Sequence, residues 1–292
     1  MECFLSTSFC KNKSIASSIK TCGELSNKNV ELSAPHPKED FNQIKRNLIN
    51  FKKEGYDFTL HNYFPPPQKS FVLNIASNEE EVIDNCKKLI LDALSLSESV
   101  GSSMYGIHAG YLSKAVEGKN GMFKFNKNER YEETLERSVN FIKFINGEFE
   151  KKNVKLLIEN LFPGTKINSS LFCTLQHIDD LMDKVPKNVG LLLDLGHLNI
   201  SSKFFNFNKK QFLEKYLSRY GKKLYEIHLS ENDGKKDEHL SLAKDSWQYG
   251  FIREIFSEIK DNDIRPVFCL EARNASANQI KQNLDLINNI IA

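Results

Sequence analysis

Six residues that can bind a divalent metal stand at or just after the ends of six consecutive candidate strands. They are His61, His108, Glu159, Asp194, His228 and Glu271. The C-terminal ends of strands meet on one face of a closed parallel barrel, so these side chains are expected to converge. With about three residues for each of eight strands, the strand ends cover only ~8% of the chain. Seven scattered histidines would place fewer than one there, yet three are there.

Two local motifs add carboxylate and imidazole groups to this set. Asp194-Leu-Gly-His197 places them three residues apart where a strand is expected to turn into its loop. Asp237-Glu-His239 alternates, so in extended chain both side chains point the same way. Imidazole and carboxylate ligands without thiolate suit zinc, manganese, iron or similar ions. An open site of this kind can polarise a carbonyl or phosphoryl oxygen.

Each of these residues also has a simpler interpretation. His61 alone is typical of a hydrogen-bonded rim residue, and the loop with Asp237 and His239 is polar enough to be an exposed turn. Glu159-Asn160 could equally be the solvent-exposed end of a strand, and Glu271-Ala-Arg273 could be a surface ion pair. These alternatives weaken for the set of four that each end a different strand, which is Glu159, Asp194, His228 and Glu271. His36 and His177 have no such placement.

Short apolar runs alternate with longer amphipathic stretches eight times along the 292 residues. The predicted strands are 3–9, 29–32, 57–61, 104–108, 154–158, 189–193, 224–229 and 265–270. The predicted helices are 14–25, 40–54, 79–96, 128–152, 169–185, 209–219, 246–260 and 277–291. Eight such units predict an α/β fold, a (β/α)₈ TIM barrel. An open doubly wound sheet is the alternative, but no G-x-G-x-x-G motif follows the first strand.

No linker rich in proline, glycine or serine divides the chain, so residues 1–292 are expected to form a single domain. Two connections are long, 62–78 and 111–127, and both follow strands, so they should lie over the active-site face. Aromatic and proline side chains in these two connections, together with Trp247 further along the chain, could close over a small substrate. They are Phe64, Pro65, Pro66, Pro67, Tyr111 and Trp247.

The global composition excludes several classes of protein. With 40% hydrophobic and 27% charged residues the chain is expected to be globular, and a net charge of +2 says little about partners. We expect no transmembrane segment, because the longest apolar run is broken by Asp194, and the N-terminus lacks the order of a secretory signal. Six scattered cysteines without a C-x-x-C motif suggest reduced thiols and a cytoplasmic location.

Several segments resemble the xylose isomerase-like TIM barrels, a superfamily of sugar-phosphate isomerases, epimerases and the endonuclease IV family. The resemblance extends over nearly the whole chain. The segments are Val30-Glu31-Leu32, TLHNYFPPPQKSFVLNIAS, YGIHAGYLS, LLIENLFPG, LLLDLGHLNIS, EIHLSENDG, DEHLSL and VFCLEAR.

The two branches of this superfamily imply different ligand sets. The epimerase branch implies one metal held by Glu159, Asp194, His228 and Glu271, with His197 contacting substrate. The endonuclease IV branch implies a cluster of up to three zinc ions with further ligands. Those positions are matched by His61, His108, His197, Asp237 and His239, so all nine ligand positions are present.

The recognition loops depart from endonuclease IV. The stretch after Asp237-Glu-His239 reads LSLAKDSWQY, without the glycines of that family, and the first strand ends in LSTSF instead of a G-x-H-x-S pattern. Three prolines follow His61 where the nuclease would probe bent DNA. No dense stripe of Arg and Lys interleaved with aromatics lies on a strand-to-helix loop.

These observations leave two enzymatic hypotheses and one that is not enzymatic. The favoured hypothesis is a metal-dependent sugar or sugar-phosphate isomerase or epimerase that works through an enediolate, with Glu159 and Glu271 as general base and acid and His197 orienting a hydroxyl. His61, Tyr111 and Trp247 are the expected substrate contacts. The metal would be one Mn²⁺, Co²⁺ or Zn²⁺.

The alternative is an endonuclease IV-like phosphodiesterase with two or three zinc ions. A barrel with a purely structural metal is the third. The expected partner is a small carbohydrate; the loops disfavour nucleic acid without ruling it out.

Overall fold

The structure is a computed structural model that describes residues 3–10, 13–117, 123–125, 127–164, 166–259 and 265–292. Eight strands form a closed barrel in chain order, and every neighbouring pair is parallel. They are β1 (Cys3–Ser6), β2 (Asn29–Leu32), β3 (Asp57–His61), β4 (Met104–His108), β7 (Lys155–Glu159), β8 (Gly190–Asp194), β9 (Leu224–Leu229) and β10 (Val267–Leu270). The predicted (β/α)₈ barrel is confirmed.

Helices connect the strands on the outside of the barrel. They are α1 (Ile15–Leu25), α2 (Phe41–Lys53), α3 (Glu80–Val100), α4 (Tyr131–Lys151), α5 (Leu175–Met182), α6 (Leu195–Phe204), α7 (Lys209–Tyr220), α8 (Trp247–Ile259) and α9 (Ala277–Ile291). Their ends follow local chemistry. Asp40 caps α2 by accepting a hydrogen bond from the Gln43 backbone N–H at 2.9 Å. Gly101 in the left-handed conformation ends α3, which therefore continues past the predicted residue 96.

Two predicted elements are shorter than expected. The first strand was predicted to reach Phe9 but ends at Ser6, because the Ser6 hydroxyl accepts a hydrogen bond from the Ser8 N–H and starts a 3₁₀ turn. The predicted helix 169–185 is only α5. Residues before it pair with the loop after β4, as the 2.8 Å bond from Leu112 N to the Ser169 carbonyl shows, and Thr174 caps the helix.

The two long connections differ in structure. The one after β3 contains no further strand or helix, and Asn74 links it to the one after β4 through a 2.9 Å bond from the Tyr111 N–H. The connection 111–127 contains an unpredicted antiparallel hairpin of β5 (Ala115–Glu117) and β6 (Phe123–Phe125). Residues 118–122 and 126 of that connection, and Lys260 of the predicted helix 246–260, lie outside the described residues.

The remaining global expectations concern membranes and cysteines. No helix among the described residues is long and apolar enough to cross a bilayer. All six cysteines are buried, and in the described chain none of them is in a disulfide.

Because Gly106 on β4 has no side chain, the His61 ring fits beside it inside the barrel. A Cβ at this position would lie 2.8 Å from Leu192 Cδ1 and 3.0 Å from His61 Cδ2. Because both neighbours are buried, we expect Gly106→Ala to lower the free energy of unfolding by about 1–3 kcal/mol. Urea denaturation measures this change.

Gly147 is the matched control for this prediction. It lies inside α4, and a Cβ there would meet nothing within 4 Å. Gly147→Ala should therefore stabilise the protein by about 0.5–1 kcal/mol through helix propensity alone. Equal shifts in the same direction for the two variants would contradict the steric explanation.

Candidate metal centre

The register of the barrel brings ligand-type residues side by side at its C-terminal mouth. His108 ends β4 and pairs with Glu159 at the end of β7. Asp194 ends β8 and pairs with His228 on β9. On β7 and β8 the apolar run ends in the acidic residue that lies at the mouth, and on β4 it ends in His108. The mouth is therefore lined by carboxylates and imidazoles from different strands.

Glu159 lies at the centre of this group and is fully buried. Its Oε2 lies 2.8 Å from His61 Nε2 and 3.0 Å from His108 Nε2. Its Oε1 lies 3.2 Å from His197 Nδ1 but has no hydrogen-bond partner of its own. One carboxylate oxygen is thus held by two imidazoles, and the other faces the remaining ligands.

Asp194 joins the end of β8 directly to α6, where the sequence suggested a loop. Its Oδ1 caps the helix by accepting a hydrogen bond from the His197 N–H at 2.6 Å, while its buried Oδ2 has no hydrogen-bond partner. The Asn160 side chain bonds to both the N–H and the carbonyl of Asp194, at 2.7 and 2.9 Å. The motif therefore sets His197 in the first turn of a helix with its position fixed by Asp194 and Asn160.

His228 on β9 and Glu271 after β10 lie on the far side of Asp194 from Glu159 in the strand order. His228 Nδ1 lies 3.4 Å from Glu271 Oε2 and 3.9 Å from Asp194 Oδ2. Glu271 Oε1 accepts a 2.6 Å bond from the Arg273 guanidinium. The expected ion pair between Glu271 and Arg273 exists, but Glu271 is buried at the mouth and not on the surface.

Asp237 and His239 return to the mouth from the loop after β9. Backbone bonds between Glu231 and Leu240 close this loop, and the Asp237 Oδ2 lies 2.6 Å from His239 Nε2 and 3.7 Å from His197 Nε2. His239 is 3% exposed, so the interpretation as an exposed turn does not hold for it. All nine residues matched by the resemblance are thus linked by contacts of 4.0 Å or less.

Backbone carbonyls fix which nitrogen of two imidazoles faces the group. His197 Nδ1 lies 2.8 Å from the Asn160 carbonyl, and His239 Nδ1 lies 3.1 Å from the Glu271 carbonyl. A carbonyl only accepts, so each Nδ1 donates its hydrogen, and each Nε2 presents a lone pair once the imidazole is neutral. Metal-binding histidines in proteins are oriented in the same way.

The donor atoms fit a divalent cation. Three sets of three side chains at the mouth bring one donor atom each to within 4.8 Å of one another. They are His61, His108 and Glu159; Glu159, Asp194 and His197; and Asp194, His228 and Glu271. Several donors are buried without a hydrogen-bond partner, namely Glu159 Oε1, Asp194 Oδ2, His228 Nδ1, Asp237 Oδ1 and His239 Nε2. Buried polar atoms of this kind are costly unless an ion or water binds them, and oxygen and nitrogen donors suit zinc, manganese or cobalt.

The electrostatics of the site agree with cation binding. Burial raises the pKa of Glu159, but the charges of His61 and His108 outweigh burial and hold that pKa well below its usual range. Burial lowers the pKa of His197, but the carboxylates of Asp194 and Glu159 raise it well above the ordinary histidine value. A proton on His197 thus balances the neighbouring carboxylates. Metal ligands bind deprotonated, so a divalent cation would replace these protons.

The two aromatic residues predicted to bind substrate lie in different places. The Tyr111 hydroxyl is 3.4 Å from His108 Nδ1, at the edge of the group. Trp247 begins α8 and packs against Lys209, whose Nζ is 4.1 Å from the ring centroid, and Phe251. It lines a groove of about 360 Å³ between α7 and α8, and its described contacts include none of the nine residues.

The sequence did not single out several residues that hold the site together. Asn160 and Phe162 contact the ligand-type residues, the latter with its ring centroid 4.7 Å from that of His197. Arg273, expected only in a surface ion pair, holds Glu271 at the buried mouth. Below the mouth, Glu31 and Glu226 approach His228 from inside the barrel. Acidic residues inside otherwise apolar strands were a usable indication of this second pair.

Comparisons with known proteins identify relatives and structural neighbours of this chain. A probable endonuclease 4 of Thermosipho melanesiensis is 24% identical over 222 residues, which cover 71% of this chain and 68% of that protein. The crystal structure of a D-tagatose 3-epimerase-like protein superposes with a TM-score of 0.76 at 22% identity, covering 100% of this chain and 98% of the other. The D-psicose 3-epimerase of Clostridium cellulolyticum gives a TM-score of 0.70 at 14% identity, with 100% and 99% covered. The family model described as xylose isomerase-like TIM barrel matches residues 24–290. The chain therefore belongs to the xylose isomerase-like TIM barrel family.

Proposed function

We propose that this protein is a divalent-metal-dependent isomerase or epimerase of a sugar or sugar phosphate. The observation that carries the proposal is the matched geometry of Glu159 and Glu271. Each has one oxygen held by nitrogen atoms of neighbouring side chains, His61 and His108 in one case and Arg273 in the other. Each turns its second oxygen toward the same mouth, from strands separated by β8 and β9. Two carboxylates facing one site suit the removal and return of a proton on a substrate carbon.

The metal in this proposal would be held by Glu159, Asp194, His228 and Glu271. When bound, it would polarise adjacent carbonyl and hydroxyl oxygens of the substrate and so stabilise the negative charge of an enediolate. The two solved structures reported above, which are described as a D-tagatose 3-epimerase-like protein and a D-psicose 3-epimerase, support a ketose as the substrate class.

The chain's own groups would then bind, orient and exchange protons with the sugar. Glu159 Oε1 and Glu271 Oε2 would take up and return the proton on the substrate carbon. His197 would orient a hydroxyl through Nε2, because its Nδ1 is fixed by the Asn160 carbonyl. The Phe162 ring and Tyr111 border the group and would exclude water from it. We retain His61 as a candidate hydroxyl contact, and the contacts of Trp247 give no support to a role in substrate binding.

A second candidate function is phosphodiester hydrolysis of the endonuclease IV type. The five further ligand-type residues favour it, since His61 and His108 share Glu159 Oε2, and His197, Asp237 and His239 form a group of their own. Such a set would hold two or three zinc ions. The similarity to a probable endonuclease 4 supports this candidate. The proline-containing loop after β3 and the glycine-free stretch after His239 argue against DNA as the substrate.

Metal counting combined with two activity assays tests the proposal. The purified protein, loaded with zinc, manganese or cobalt, is incubated with ketoses and ketose phosphates in D₂O, and in parallel with duplex DNA that contains an abasic site. We expect deuterium to enter a ketose at the carbon next to the carbonyl, with no incision of DNA. Three tightly bound zinc ions together with rapid incision, and no deuterium in any ketose, would replace the first candidate by the second.

A further inference from the structure

The interior of the barrel contains acidic residues directly below the mouth. Glu31 on β2 and Glu226 on β9 are both 0% exposed, and Cys269 on β10 lies beside them. Their donor atoms and those of His228 all lie within 4.8 Å of one another. A parallel barrel usually fills this space with apolar side chains, and a buried carboxylate is costly unless a hydrogen-bond donor or a cation is next to it. The acidic pair therefore needs a partner.

His228 is the nearest partner, and it contacts the two glutamates unequally. Its Nε2 lies 2.8 Å from Glu31 Oε2 and 3.7 Å from Glu226 Oε1. The first distance is that of a close ion pair, but the ring N–H is not aligned with the carboxylate oxygen for a hydrogen bond. An ionised carboxylate only accepts, so Glu31 favours a hydrogen on Nε2. In that tautomer Nδ1 turns a lone pair toward Asp194 and Glu271 at the mouth.

We propose that Glu31 is a positioning residue that fixes the tautomer and orientation of His228 and thereby sets the affinity of the mouth for its metal. This inference rests on the metal site of the proposed function and adds to it a residue that would not touch the metal. The His228 ring also packs edge-on against the His61 ring, with centroids 4.7 Å apart. A reoriented His228 would consequently disturb a second ligand-type residue.

The two glutamates provide their own matched comparison. Both are buried in the same chamber, so Glu31→Gln and Glu226→Gln each remove one interior charge with almost no change in volume. Only Glu31→Gln replaces the carboxylate of the short contact with an amide that can turn its NH₂ toward Nε2. Residues that hold a metal-binding histidine typically change metal affinity by about 10- to 100-fold when mutated. We expect that loss for Glu31→Gln and a dissociation constant close to that of wild type for Glu226→Gln.

The experiment measures the zinc dissociation constant of the full-length protein by competition with a chromophoric chelator. Ring-¹⁵N NMR of the zinc-loaded, histidine-labelled protein reports in parallel which nitrogen of His228 carries hydrogen, with the resonance assigned through His228→Gln. Wild type and Glu226→Gln should show hydrogen on Nε2, and Glu31→Gln should lose that pattern. Glu31→Asp is a second variant. It keeps the negative charge but moves the carboxylate away from His228 by the length of one methylene group, so it should also weaken zinc binding.

The outcomes separate this inference from the proposed function. If wild type binds zinc and the Glu31 variants bind it equally tightly with an unchanged ring-nitrogen pattern, the positioning role is refuted and the proposed function is untouched. An equal loss in Glu226→Gln would also refute it, because removal of any interior charge would then suffice. If wild type takes up no divalent metal, the proposed function fails and the role of Glu31 fails with it.

Discussion

Glu271→Gln is expected to reduce turnover by at least about 1,000-fold, which corresponds to about 4 kcal/mol of transition-state stabilisation. The variant keeps the size of the side chain and an oxygen that can still accept from Arg273. It removes the negative charge that faces His228 and the basicity that proton transfer requires. The measurement is steady-state kinetics on the ketose that wild type converts, with circular dichroism to establish that the variant folds.

Glu129 supplies the control for this prediction. It forms an ion pair with Arg137 at 2.6 Å, the same distance as in the pair of Glu271 and Arg273, but contacts none of the nine mouth residues in the described structure. Glu129→Gln should leave turnover unchanged. Turnover of Glu271→Gln within tenfold of wild type would remove Glu271 from the proposed proton-transfer machinery.

The barrel can be predicted from this sequence because its strands are buried on both faces. Runs such as 190–193 are apolar without alternation, so the first charged residue marks where the strand leaves the core. That rule places Glu159 and Asp194 at the mouth without any knowledge of the fold's details. It fails at the first strand, where Ser6 bonds to the Ser8 N–H and turns the chain earlier than hydrophobicity indicates. It also misses α6, because Asp194 acts as a helix cap and a ligand-type residue at once.

The supporting contacts could not be predicted in the same way. Asn160 bonds to Asp194 through side-chain geometry that has no periodicity in the sequence. The pair of Arg273 and Glu271 was expected, but on the surface and not at the buried mouth. Glu31 and Glu226 lie on strands that are not neighbours in the barrel and meet only across its interior. Closure of the barrel creates this contact. A strand pattern read one strand at a time cannot reveal it.

The structure also sharpens the choice between the two candidate functions. Glu159 Oε2 is enclosed by two imidazoles, and Oε1 alone is free of a hydrogen-bond partner. In an isomerase, His61 and His108 would hold Glu159 in place while Oε1 acts on the substrate. In a hydrolase the same two imidazoles and Glu159 would all help to hold the zinc ions. The number of metal ions per chain therefore determines which role these two histidines have.

Asp194→Asn is expected to separate the two roles of this residue, which caps α6 with Oδ1 and turns Oδ2 to the mouth. Asparagine caps helices about as well as aspartate, so the free energy of unfolding in the presence of chelator should stay within about 1 kcal/mol of wild type. A neutral amide is a poor ligand for a divalent cation beside two glutamates. Metal affinity should therefore fall by more than about 100-fold, beyond the loss typical of residues that only support a ligand.

Asp194→Ala completes the comparison, because it removes the cap as well as the ligand. It should lose metal affinity to the same extent and cost a further 0.5–2 kcal/mol or so of stability in chelator, the usual range for a lost cap. Chelator-competition titrations and urea denaturation of the two variants measure both quantities. If Asp194→Asn destabilises the metal-free protein as much as Asp194→Ala does, the cap needs the charged carboxylate and the two roles are not separable by this substitution. If it binds metal like wild type, Asp194 is not a ligand, and the cation would have to be held by the imidazoles and glutamates alone.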